Sequence, residues 1–143
     1  ADALTGTGFP TVGERLWNGA TWDRKRNNIQ ATLLASAART TTQTSASLTN
    51  YNGTGLRVIL DMTAVGTGSV TVTIDGVPDV GANYNILTGA AITTNSVNVY
   101  EIGPALLAAA NAKVNSRLPR TFIITVTANN ANAATYSVAY DIG

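Results

Sequence analysis

The chain has no cysteine and no histidine, a single methionine, and charged side chains at only 12% of its 143 positions. Each lack removes a class of chemistry. Without Cys there is no disulfide framework, no thiolate nucleophile and no zinc-thiolate site. Without His there is no imidazole base, no Ser-His relay and none of the usual zinc or copper ligands. Nine basic against eight acidic residues leave a net charge of +1, too little for a strong field toward nucleic acid or an anionic membrane. No apolar run nears the ~18 residues that span a bilayer. The first ten residues, ADALTGTGFP, lack the basic start and apolar stretch of a secretory signal. Synthesis in the cytoplasm is therefore expected, and the absence of Cys leaves the redox compartment open.

What is present is a β-forming composition. Hydrophobic residues make up 45% of the chain, enough for a core in one domain of this length. Thr and Val suit a pleated, half-buried surface, and Gly and Asn suit tight turns. Residues 1–29 read as an extended N-terminal arm ending in a short hairpin, and residues 30–143 as the folded body. Within the first part, WNGATW carries Asn18-Gly19, a two-residue turn signal that would set Trp17 and Trp22 across from one another.

From residue 30 the pattern is regular. Strands are expected over 31–40, around 45–49, and over 56–65, 69–76, 84–89, 91–102, 120–128 and 134–143. Leu56, Val58, Leu60 and Met62 share one face, and Val70, Val72 and Ile74 another. With Gly66-Thr67-Gly68 between them, these two segments are expected to form a hairpin. Residues 104–119, bounded by Pro104 and Pro119, are expected to form two or three helical turns or an ordered loop. Seven to eight half-buried strands with close turns make an all-β antiparallel sandwich, Ig-like or jelly-roll.

The candidate chemistry is thin. Asp61 and Asp75 would lie near one another on the expected hairpin, but no third polar group or aromatic platform accompanies them as a glycosidase site needs. Asp75 and Asp79 sit in a turn that lacks the ligand series of a calcium loop. Gly6 and Gly8 precede no Gly-Lys-Ser/Thr, so a phosphate loop is not indicated. Thr5, Thr7, Ser45 and Ser47 have no base to activate them. Tyr136 and Tyr140 fit core positions better than a sugar platform. Asn52-Gly53-Thr54 matches a glycosylation acceptor, and a plain turn accounts for it as well. No enzyme, metal or cofactor is expected from these residues.

One surface feature stands out. Arg24, Lys25 and Arg26 follow Trp17 and Trp22 closely, and Trp and Arg are enriched at binding hot spots. They read either as an anchor for a partner or as two core indoles beside a solvated basic turn. Three cations neutralise too few phosphates for nucleic-acid binding. Tyr51, in the turn Thr49-Asn50-Tyr51-Asn52, is a further contact candidate.

Several of these stretches resemble small virion proteins of tailed bacteriophages. The match lies in Trp-Asn-Gly-Ala-Thr-Trp-Asp-Arg at 17–24, Leu-Leu-Ala-Ser-Ala-Ala-Arg-Thr at 33–40, Thr-Asn-Tyr-Asn at 49–52 and Leu-Pro-Arg-Thr at 118–121. It covers most of the chain after residue 16 and departs at 76–85, where the family has a longer, more charged loop. The resemblance implies a structural role like that of capsid decoration (cement) proteins. Such a protein would sit on the virion's outer capsid surface, as a homo-oligomer with a trimer favoured, and bridge subunits of the major capsid protein. Trp17, Trp22, Arg24, Lys25, Arg26 and Tyr51 would be its partner-binding residues, with no nucleic acid or membrane involved. The alternative is a tail or fibre-associated module that touches host-surface carbohydrate.

Overall fold

A computed structural model describes residues 15–17, 20–24 and 28–143. Its strands are β1 (Arg15–Trp17), β2 (Trp22–Arg24), β3 (Ile29–Arg39), β4 (Gln43–Thr44), β5 (Leu48–Thr49), β6 (Leu56–Ala64), β7 (Val70–Gly76), β8 (Tyr84–Thr88), β9 (Ser96–Gly103), β10 (Lys113–Asn115), β11 (Thr121–Ala128) and β12 (Ala134–Ile142). β1 and β2 form a separate two-stranded ribbon, with Trp17 opposite Trp22 as the Asn18-Gly19 signal implies. The arm expected over residues 1–16 falls, but for Arg15 and Leu16, outside the described residues.

The body is an all-β sandwich. One sheet runs β10-β9-β6-β12-β3, and the other β4-β11-β7-β8 with β5 also paired to β11. Every pairing is antiparallel except β10 with β9. The pairs nest: β3 with β12, β4 and β5 with β11, β6 with β9, and β7 with β8. A chain that pairs first with last and works inward is one long hairpin wound over itself, which is the jelly roll. Of the two sandwich forms left open by the sequence, the pairing selects this one. The two sheets hold ten strands among the described residues. The excess over seven or eight arises because the expected strand near 45–49 is split into β4 and β5, and because β10 was not foreseen.

The core follows the alternation. Val58, Leu60, Val72, Ile74, Phe122, Ile124 and Val126 are fully buried between the sheets. Burying a side chain of this size contributes about 1.5–3 kcal/mol. Tyr136 is buried and Tyr140 packs against the core from a half-buried position, as expected for both.

One expectation fails. β6 and β7 do not form a hairpin: β6 lies between β9 and β12, and β7 between β11 and β8, in the opposite sheet. Alternation identifies the buried face of a strand but not its neighbour. Here the apolar faces of β6 and β7 cover each other across the core, which side-by-side pairing would have left to other elements. The Gly66-Thr67-Gly68 link makes the crossing. Gly66 has φ +53°, a left-handed backbone that glycine adopts without strain. The Gly68 N–H donates to the Val65 carbonyl at 2.7 Å.

Of the two forms expected for residues 104–119, the structure has the ordered loop, with the short β10 in it. Ala105 and Asn111 take φ of 63° and 60°, which a right-handed helix does not allow. The Asn115 side chain accepts from the Ala105 N–H at 3.1 Å, an alternative to helical bonding. Lys113–Asn115 then joins the edge of β9. Val114 packs against the core while Leu107 stays 90% exposed, so two residues that would share one side of a helix have separate fates.

Candidate functional site

Asn50 builds one end of the sandwich. It is the one buried polar side chain among the described residues, and all of its hydrogen-bonding capacity goes into loop closure. Its Oδ1 accepts from the Gly53 N–H at 2.8 Å, and its Nδ2 donates to the carbonyls of Gly53 at 2.9 Å and Leu118 at 3.3 Å. Its own N–H donates to the Arg120 carbonyl at 2.7 Å. An Asx-type closure of this kind satisfies backbone groups that a turn leaves open. Gly53 is required at its position because a Cβ there would collide with the Ile142 side chain. The turn holds Tyr51 outward at 45% exposure.

The rest of this end assembles around the turn. Thr54 and Gly55 donate their N–H groups to the Gly143 carbonyl at 2.7 and 2.8 Å. Asn28, just before β3, lies beside Gly143. A hollow of about 360 Å³ is lined by Gly53, Thr54, Pro104, Arg117 and Leu118. A second, of about 250 Å³, opens beside Arg57, Glu101, Pro104 and Asp141. Arg117 and Arg120 are exposed and make no ion pair among the described residues. Glu101 accepts from both Lys113 Nζ at 2.8 Å and Arg57 at 3.0 Å. The Lys113 hydrogen bond first and the Arg57 bonds second hold its carboxyl below the ordinary glutamate range.

The opposite end is different in kind. It is formed by residues 39–42, 64–69, 89–95 and 128–134, whose one charged side chain is Arg39. Its loops are tied by amides and hydroxyls. Asn95 Oδ1 accepts from the Val65 N–H at 2.9 Å, and Asn129 Nδ2 donates to Ser69 Oγ at 2.9 Å.

The residues named from sequence are thus partly brought together. Tyr51 stands at the end of the body where the chain leaves the ribbon and enters β3. Trp17 faces Trp22 in register, and Arg24 faces Arg15. Lys25 and Arg26 lie outside the described residues. Asp61 and Asp75 are separated, on the outer faces of different sheets, so they form no carboxylate pair. Asp75 instead accepts from Asn85 Nδ2 at 3.0 Å. No cluster of metal-ligating side chains occurs among the described residues. None of the helix-type spans that cross a membrane is found among the described residues.

Asn50, Arg117 and Arg120 were not singled out from sequence. Asn50 had a legible signal in its three-residue spacing to Gly53. The two arginines had none, because only the fold carries them to the Tyr51 turn.

No protein-family model matches the chain, and no curated protein matches it. A solved structure described as "Structure of infectious bursal disease virus Gx strain" is similar to it at 11% sequence identity with a TM-score of 0.45, covering 92% of this chain. The chain spans 37% of the length of that one.

Proposed function

We propose that this protein is a virion structural component that binds the outer surface of a phage capsid and stabilises it by bridging subunits of the major capsid protein. The observation that carries the reading is the polarity of the jelly roll. Tyr51, Arg117, Arg120 and the hollow lined by Thr54, Pro104 and Leu118 gather at the end from which the chain passes to the Trp17–Trp22 ribbon, while the one charged side chain of the other end, Arg39, is tied to the carbonyls of Ala35, Ala37 and Tyr136. Aromatic and guanidinium groups beside shallow apolar hollows suit docking onto a protein surface, with Pro104 and Leu118 receiving apolar groups and the free arginines receiving carboxylates. The phage resemblance of residues 17–24, 33–40, 49–52 and 118–121 supports the same reading.

In this reading residues 1–28 lie against the capsid. Many copies on one shell add avidity. Co-sedimentation with expanded, undecorated capsids tests it. The full chain pellets with the shells and residues 29–143 alone do not. A tail or fibre module would instead leave the capsids bare and appear in few copies per particle by quantitative mass spectrometry.

A further inference from the structure

The outer face of the β10-β9-β6-β12-β3 sheet carries a charge ladder that no single protomer completes. The register places Lys113 opposite Glu101, Glu101 opposite Arg57, Arg57 opposite Asp141, and Asp141 opposite Gln30. Read across the sheet, the signs run plus, minus, plus, minus. Arg57 and Lys113 both turn to Glu101, and Asp141 makes no ion pair among the described residues. Two residues along the strands, the outward row is Val99, Ile59 and Ala139. Val99 is 41% exposed, and Val97 on the same face is 64% exposed. The outer face of the other sheet has threonines at the equivalent central places: Thr44, Thr125, Thr73 and Thr88 stand in one row. The aliphatic row on the first sheet is therefore not a general property of this surface.

We infer that this face binds a second copy of the chain, face to face, about a two-fold axis parallel to the strands and between β9 and β6. The argument is charge complementarity. Turned over about that axis, the ladder meets its own reverse. Lys113 faces the partner's Asp141, Glu101 faces the partner's Arg57, and Val99 faces the partner's Ile59. The unpaired Asp141 carboxylate gains a cation, and the exposed valines are covered. An isologous two-fold contact is the commonest way for one surface to satisfy itself, and face-to-face sheets align within about 30° as this requires. The proposal does not rest on the capsid reading; it assigns the hollow beside Arg57, Glu101 and Asp141 to the second copy, and it replaces the trimer implied by the phage resemblance with a dimer.

Sedimentation velocity of the full chain at micromolar concentration, followed by zero-length carbodiimide coupling of amines to carboxylates, tests it. Within one protomer Lys113 and Asp141 are three strand spacings apart, about 14 Å, beyond the reach of such a link. A Lys113–Asp141 cross-linked peptide must therefore join two chains, and mixing isotope-labelled with unlabelled protein verifies this. The expected result is a dimer that yields this peptide. Val99→Lys and Asp141→Lys each convert it to a folded monomer with the parent's circular dichroism spectrum and a melting temperature that no longer rises with concentration, and adding Lys113→Glu to Asp141→Lys restores the dimer. A monomer or trimer of the parent protein, a dimer without that cross-link, or a dimer that persists in Val99→Lys overturns the inference.

Discussion

The Arg39 guanidinium lies 4.8 Å from the centre of the Tyr136 ring and donates to the Tyr136 carbonyl at 2.7 Å. It also donates to the carbonyls of Ala35 at 2.6 Å and Ala37 at 3.1 Å. These groups stand where the pairing of β12 with β3 slips, on either side of Val138. A bulge leaves backbone groups out of the ladder, and one side chain here supplies the missing donors. Arg39→Ala should lower stability by about 0.5–1.5 kcal/mol, the net contribution of hydrogen bonds that water can partly replace. Arg39→Lys should recover part of the loss, since an ammonium cannot serve three acceptors with the same planar fork. Chemical denaturation of the three proteins checks this.

The Asn50 turn gives a second expectation. Asn50→Leu removes both the acceptor for the Gly53 N–H and the donor to Leu118, at a cost of about 1–3 kcal/mol. Hydrogen exchange should rise at Gly53, whose N–H loses its acceptor. Equal exchange in mutant and parent would mean that the turn is held by other contacts.

The core sets a larger scale. Leu60 is fully buried at the centre of β6, so Leu60→Ala should cost about 2–5 kcal/mol. Ile59→Ala, one residue away on the outer face, should cost far less. Urea unfolding of the two variants measures the difference and checks the assignment of faces.

The dependence on pH has two arms. The folded-state pKa of Glu101 is lowered, first by the Lys113 hydrogen bond and then by Arg57, so its contribution is present at neutral pH and is lost as pH falls through and below the ordinary glutamate range. Burial raises the phenols of Tyr100 and Tyr136, with Arg39 opposing the rise at Tyr136. Their contribution is present below the ordinary tyrosine value and is lost as pH climbs past it. With no histidine in the chain, no imidazole step interrupts the range between. Melting temperature measured against pH should fall at both extremes, and Glu101→Gln should flatten the acidic arm.

Much of the fold was legible because strand alternation is a local signal. The buried faces of β6, β7, β11 and β12 could be read residue by residue, and the Trp17–Trp22 ribbon followed from Asn18-Gly19. Neighbour relations were not legible. Leu56–Met62 and Val70–Ile74 look like the arms of a hairpin, and nothing in their composition tells a tight turn from a link between sheets. The same limit hid the candidate surfaces. Lys113, Glu101, Arg57 and Asp141 are scattered along the chain and become a ladder only through the register of four strands. For residues 104–119 the sequence left a short helix and an ordered loop open, because the left-handed backbone at Ala105 and Asn111 that decides for the loop has no strong sequence signal at alanine.

The central claim is that this jelly roll acts by docking on a capsid through its charged, aromatic end. Cryo-electron microscopy of expanded, undecorated capsids incubated with the full chain measures this directly. The account predicts regular density over the whole shell, with the Tyr51, Arg117 and Arg120 end turned toward the major capsid protein and the Asn95 and Asn129 end outward. A bare shell, or density docked through the Asn95 and Asn129 end, would contradict it.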